Sequence, residues 1–291
     1  MKQAELPFTT ADEDTKVAAI DQLIRSALNY ATSAGFRALL EFTRRLPAYS
    51  PFNCLLLHIQ NSKALFVAPP EKWQKLKRTL KAGARPLVIL APMRPVLFVF
   101  DVTDTEGGEL PREILEAMKS SFDVHGEVTE LTFSRLRRLC TRAGITIENH
   151  LLHPNLAGAI QRTKTGYQIS LNTTHTRTQQ FATIAHELGH LFCGHLGRLK
   201  DEWWPERPAT LDLKTRELEA EAVAWLVCQR FRVMPASASY LSSHLQDGTA
   251  LPVFSLDAIL VAAGAIEEMA KGQLPARLRA KKRQSKSLTK S

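Results

Sequence analysis

The chain has 291 residues, 44% hydrophobic and 23% charged, which excludes a disordered protein and leaves room for two domains, each with its own core. Its net charge of +9 is concentrated: residues 271–291 hold eight Lys/Arg and no acid, leaving 30 basic against 29 acidic residues elsewhere. The four cysteines, Cys54, Cys140, Cys193 and Cys228, are scattered without a Cys-x-x-Cys pair, so they fit buried thiols of a reducing compartment rather than a disulfide framework.

Taken in chain order, apolar spacing predicts amphipathic helices over residues 12–31 and 34–46, a largely buried helix over 53–61 after the Tyr49-Ser50-Pro51 turn, and a short helix over 71–81. Two β-branched and aromatic runs, Pro86–Leu90 and Val96–Phe100, read as strands, and Asp101–Pro111 as a loop. Beyond a boundary near 120–130 come a basic helix over 129–143, a strand at Ile145–Ile147 and an alternating strand at Gly166–Leu171. A helix capped by Thr178 follows and ends at Gly194 and Gly197. Further helices are expected over 213–231, 236–246 and 255–270, then a basic, disordered tail. No internal repeat is visible, and the first residues lack a secretory signal. The longest apolar runs, such as Ile259–Ile266, are too short to span a bilayer, so a cytoplasmic protein without a membrane partner is expected.

The segment Ile184-Ala185-His186-Glu187-Leu188-Gly189-His190 carries the chemistry. On a helix, His186 and His190 lie on one face and can bind one metal ion, while Glu187 can handle a water on it. A zinc hydrolase needs a third protein ligand and one open position. Thr215–Trp225 offers three glutamates. Glu217 and Glu221 share a helical face, so Glu217 is the expected ligand and Glu221 its supporting partner or an alternative ligand. Glu219, about 200° from Glu217 at roughly 100° per residue, is expected to face solvent. His195 is out of register for the longer zinc motif and reads as a non-ligand. Cys193 lacks the partner thiolates that soft ligands usually bring. His175 is a further candidate for the cleft wall, and Tyr167 and Ile169 belong to a strand that could pair with an extended peptide.

His186–Phe192 followed by Glu217–Ala224 resembles the ImmA/IrrE metallopeptidases, whose pattern has a similar Glu-x-Glu-Ala segment; their usual asparagine is Glu221 here. That departure is shared with the ArdC antirestriction proteins. Tyr49–Leu57, Trp73, Gly83, Ile89–Pro92 and Val99–Gly107 are also similar to an ArdC-like N-terminal domain. The resemblance implies single-stranded DNA binding by the first half. Lys63, Lys72, Lys75, Lys77, Arg78, Lys81 and Arg85 are candidates for phosphate contacts, with Trp73, Phe66, Phe98 or Phe100 as stacking faces.

The expected architecture is α+β: an N-terminal α+β nucleic-acid-binding-like domain over 1–125, then a mostly helical zincin-like metallopeptidase domain with a small sheet over 126–272, and a basic tail over 273–291. The expected function is peptide-bond hydrolysis with one Zn²⁺, His186, His190 and Glu217 as ligands and Glu187 as base, on a protein or peptide substrate. The alternative is a non-proteolytic single-strand-binding antirestriction protein whose metal site is structural or regulatory.

Overall fold

The computed structural model describes residues 33–91, 94–112, 114–115, 126–153, 156–198, 202–208, 210–233 and 251–275. The helices expected over 12–31 and 236–246 and the tail from residue 276 lie outside them. The fold is α+β, as expected, with seven helices and three small sheets among the described residues. The chain divides into two compact units: Met1–Tyr30 with Asn53–Lys119, and Ala31–Phe52 with Ser120–Ser291. The division expected at residue 125 is therefore amended for residues 31–52, which pack with the second half.

In the first unit, helix α2 (Pro51–Gln60) enters at Asn53 and helix α3 (Pro70–Lys75) follows strand β1 (Val67–Ala68). The helix expected to reach residue 81 stops early. Lys77 takes a left-handed φ of 57°, and Arg78–Leu80 becomes strand β2, antiparallel to β5 (Thr105–Gly107). The long hairpin β3 (Leu87–Ala91) and β4 (Arg94–Asp101) matches the two apolar runs, and the sheet order is β1-β4-β3. The outer edge of β3 is closed by two amide side chains of α2. Asn53 donates to the Leu90 carbonyl and accepts from its N–H, both at 3.0 Å. Gln60 does the same for Val88 at 2.9 and 2.8 Å. These bonds satisfy backbone groups that would otherwise template another strand.

The second unit is built around helix α6 (Leu213–Arg230), buried on nearly every side from Leu218 to Gln229. Helix α5 (Arg177–Phe192), helix α7 (Leu256–Ala270) and helix α1 (Ser33–Arg45) pack on it, and α4 (Glu130–Arg142) packs on α7. A three-stranded sheet of order β6-β8-β7 lies against α4 and α5. Strand β6 (Ile145–His150) is parallel to β8 (Tyr167–Asn172), and β7 (Gly158–Arg162) is antiparallel to it. Arg230 ties the early helix to the late ones. Its guanidinium pairs with Glu267 at 2.6 Å and donates to the carbonyls of Thr43, in the last turn of α1, and of Leu46, Pro47 and Tyr49 just beyond it.

Both side chains of the Arg230–Glu267 pair are buried, at 1% and 6% exposure. Removing Arg230 strips Glu267 of its buried partner and leaves it only the half-exposed Lys271, also at 2.6 Å, which places the loss near the low end, about 3 kcal/mol, of what breaking a buried pair costs. Arg230→Met is expected to destabilise the second unit by that order, read as a lower urea midpoint in its unfolding transition.

Candidate metal centre

Helix α5 is started by a capping box. Thr176, rather than the expected Thr178, accepts from the Gln179 N–H, and the Gln179 side chain accepts from the Thr176 N–H. The Thr178 hydroxyl instead accepts from the N–H of Val128. Phe181, Ile184, Ala185, Leu188 and Leu191 face the core, which turns His186 and His190 together onto the opposite, partly open face. Helix α6 is capped by Asp212, which accepts from Thr215. The two helices approach closely where Gly189 meets Ala220: a Cβ on Gly189 would lie 3.1 Å from the Ala220 Cα and 3.2 Å from the Val223 Cβ. That approach brings Glu217 within reach of both imidazoles.

The candidate ligand atoms converge. His186 Nε2 and His190 Nε2 are 3.1 Å apart, and the two Glu217 carboxylate oxygens lie 3.6 Å from one imidazole nitrogen each. A tetrahedral ion with bonds of about 2.0–2.1 Å separates its ligand atoms by about 3.3–3.4 Å. The observed spacings bracket that edge. Two imidazole nitrogens and a carboxylate oxygen, with no cationic side chain among them, are a donor set suited to a divalent first-row metal ion.

The outer nitrogens of the two histidines are held by separate groups. His186 Nδ1 lies 3.3 Å from Glu221 Oε1, so Glu221 stands against the outer nitrogen of His186. His190 Nδ1 lies 2.9 Å from His195 Nδ1, and His195 Nε2 lies 2.8 Å from Glu219 Oε2. The expectation of a solvent-facing Glu219 is corrected: it is fully buried and also accepts from Arg207 at 2.8 Å and the Ser255 N–H at 2.7 Å. The reversal that returns His195 to His190 depends on Gly194, at φ 85°, where a Cβ would strike the Pro205 carbonyl oxygen at 2.2 Å. Cys193, His195 and Glu219 also cluster. Burial pushes the Cys193 thiol well up, and Arg207 already supplies a cation to Glu219.

Burial opposes the His186 imidazolium. The hydrogen bond to Glu221 and the charges of Glu187, Glu221 and Glu217 outweigh it and raise the His186 pKa. Burial raises the Glu187 carboxyl too, against the influence of His186, His190 and the backbone N–H of Ile160. For His195, burial lowers the pKa and Glu219 only partly offsets it, which favours the neutral ring.

A cleft of about 250 Å³ opens beside the histidines, lined by Gly158, His175, Thr183, His186, Glu187 and Glu221 among others. His175 thus reaches the cleft wall. Tyr167 and Ile169 do not serve as an edge strand. Strand β8 is hydrogen-bonded on both sides, both residues are buried, and Tyr167 packs edge-on to Trp204 at 5.6 Å. The edge beside α5 is β7, for which the sequence gives no strand signal. Gly158 lets it close on the helix: a Cβ there would meet Thr183 Cγ2 at 2.7 Å.

In the first unit, Lys63, Lys72, Lys75, Lys77, Lys81 and Arg85 are exposed. Trp73 is corrected as a stacking face: it is fully buried and its indole N–H donates to the Phe100 carbonyl at 3.1 Å. Phe100 is buried with it, whereas Phe66 is half-buried with the Lys72 ammonium 5.2 Å over its ring. Arg78 braces β5 through the Thr105 hydroxyl, the Thr105 carbonyl and the Gly108 carbonyl.

Residues 140–240 match the model of the Peptidase_M78 family, the IrrE N-terminal-like domain. That stretch runs from β6 through α6 and supplies every residue of the donor set, in keeping with the ImmA/IrrE resemblance of the sequence. No curated protein matches the chain. Two solved structures of the antirestriction protein ArdC from plasmid R388 are similar to it. The metal-free form is 15% identical over 77% of this chain and 85% of that one, with a TM-score of 0.38. The Mn(II)-bound form is 16% identical over 79% and 83%, also with a TM-score of 0.38. No helix among the described residues is long and apolar enough to cross a membrane.

Protons and a metal ion compete for His186 Nε2. A raised imidazole pKa keeps the ring protonated to higher pH, so metal affinity is expected to start falling above the ordinary imidazole value of about 6.5 as the solution is acidified. Glu221→Gln removes the strongest raising influence and should move that onset to lower pH, as measured by chelator competition across a pH series.

Proposed function

We propose that the second unit is a zinc-dependent peptidase that hydrolyses extended polypeptide, joined to a first unit that binds single-stranded nucleic acid. The observation that carries the reading is the near-tetrahedral spacing of His186, His190 and Glu217 with the Glu187 carboxyl in the same cleft. A bound Zn²⁺ would lower the pKa of a water at its open position toward about 7.

Glu187 sits one residue after the first histidine, where its carboxylate can take a proton from the attacking water. Burial raises its pKa, which makes it a stronger base than a solvated glutamate and a competent acid afterwards. As the water oxygen bonds to the carbonyl carbon and the C–N bond breaks, Glu187 passes that proton to the departing amine. Along β7, Ala157 and Thr163 direct their hydrogen bonds toward β8, so alternation turns Gly158, Ile160 and Arg162 outward. A peptide added to this edge would run past Glu187, which accepts from the Ile160 N–H. The substrate strand is therefore assigned to β7 in place of Tyr167 and Ile169.

For the first unit, six exposed cations between Lys63 and Arg85 support a phosphate-tracking surface with little base selectivity. Trp73 and Arg78 are left out of it because both are committed to the fold.

Glu187→Gln is expected to abolish proteolysis while zinc stays bound at one equivalent, measured by metal analysis beside proteomics of cleavage products in cells. Undiminished cleavage by that variant would overturn the assigned base. Single-stranded DNA binding should weaken steeply with salt. Lys72→Ala and Lys75→Ala should each make the slope of log affinity against log salt shallower by about 0.7, the change expected for one lost phosphate contact.

A further inference from the structure

The metal-facing nitrogen of an imidazole must carry its lone pair, so a ligating histidine needs its proton on the other nitrogen. For His186 that proton has an evident acceptor in Glu221. His190 has no carboxylate at its outer nitrogen; it faces a second histidine. We propose that His195 and Glu219 are positioning residues that fix His190 in the tautomer presenting Nε2 to the metal, an inference that rests on the metal-centre reading above.

The proton positions follow from the partners in sequence. Arg207 and the Ser255 N–H donate to Glu219 Oε1, and its other carboxylate oxygen, an acceptor, faces His195 Nε2. Glu219 is fully buried, so water does not supply alternatives. His195 therefore carries its proton on Nε2, 2.8 Å from the carboxylate. Arg207 already neutralises Glu219, so the His195 ring need not be charged to stand there. In the neutral ring Nδ1 is then an acceptor. Its partner at 2.9 Å is His190 Nδ1, which must be the donor, leaving the lone pair of His190 on Nε2. Two groups face His190 Nε2: Glu217 at 3.6 Å, beyond hydrogen-bond distance, and His186 Nε2 at 3.1 Å, a contact in which His190 Nε2 can stand as the acceptor. The orientation is thus passed from Glu219 through His195 to the ligand. Burial of His195, at 2% side-chain exposure, holds the ring against rotation.

Glu219→Gln tests the sense of this chain without changing its shape. With one carbonyl oxygen left, the Gln oxygen is retained by the two donors Arg207 and Ser255, and its NH₂ faces His195 Nε2. His195 must then accept at Nε2 and donate at Nδ1, which moves the His190 proton to Nε2, where the metal would bind.

Long-range ¹H–¹⁵N spectra of the histidine rings in the metal-free full-length protein should show His190 protonated at Nδ1 in wild type and at Nε2 in Glu219→Gln. Zinc affinity from chelator competition should fall by about 10–100-fold in Glu219→Gln and in His195→Phe. His195→Asn, whose amide oxygen can accept from His190 Nδ1, should recover most of the loss seen in His195→Phe. An Nε2-protonated His190 in the metal-free wild type overturns the proposal, and so does equal affinity of the Phe and Asn variants. If Glu219→Gln fails to fold, the Phe and Asn pair decides the matter alone. Should wild type bind no zinc, the metal-centre reading fails while the ring spectra still decide the tautomer.

Discussion

The distance between helices α5 and α6 is the constraint on which the centre depends. Packed helices normally sit 8–10 Å apart, set by the side chains between them. Here the contact is Gly189 on one side and the Ala220 backbone on the other, so almost nothing is interposed. Glutamate has a short reach, and the closeness of the two axes lets Glu217 face two imidazoles on the neighbouring helix. Glu221, one turn further along α6, meets the outer nitrogen of His186 for the same reason. Ala220 thus shapes the site although its side chain carries no chemistry.

The histidine helix and the Glu217–Glu221 pair were legible because both depend only on helical spacing within one element. Glu219 was not. A helical wheel assumes one dry face and one wet face, and α6 is buried almost all round, so a residue turned away from His186 and His190 still points into protein. What it meets there, His195 and Arg207, comes from a loop whose path depends on Gly194 and leaves no periodic trace in the sequence. The strand assignment failed in a related way. The alternation in Tyr167–Leu171 reports which faces of a strand are dry, and says nothing about whether its two edges are paired. Strand β7, Gly158-Ala159-Ile160-Gln161-Arg162, is short and begins with glycine, so it offers little pattern to find.

In the first unit the β3–β4 hairpin was legible from its β-branched runs, whereas the role of the neighbouring helix was not. Asn53 and Gln60 look like ordinary polar positions on α2. In the fold they stand where a neighbouring strand's peptide groups would be, two bonds apiece, and close the edge of the sheet. Trp73 shows the converse. A tryptophan among lysines suggests a surface for bases, yet its indole fills the space between α3 and β4 and its one donor is used on Phe100. A buried aromatic with its polar handle satisfied anchors a small sheet, while the cations around Trp73 stand on the exposed turns of the same short helix.

The bond from Arg230 to the Thr43 carbonyl spans 187 positions of sequence. Helix α1 leaves the ribosome long before the residue that ties down its C-terminal end, and the whole stretch Asn53–Lys119 is made in between. During synthesis, that early helix must wait with its apolar face, Phe36, Leu39, Leu40 and Phe42, still uncovered by its final partners. Closure of the second unit is consequently a late, long-range event, with the loop entropy of a large chain segment set against it. A nascent chain halted before residue 230 lacks the tie between helix α1 and the end of helix α6, so the second unit is completed only after nearly four-fifths of the chain has been made.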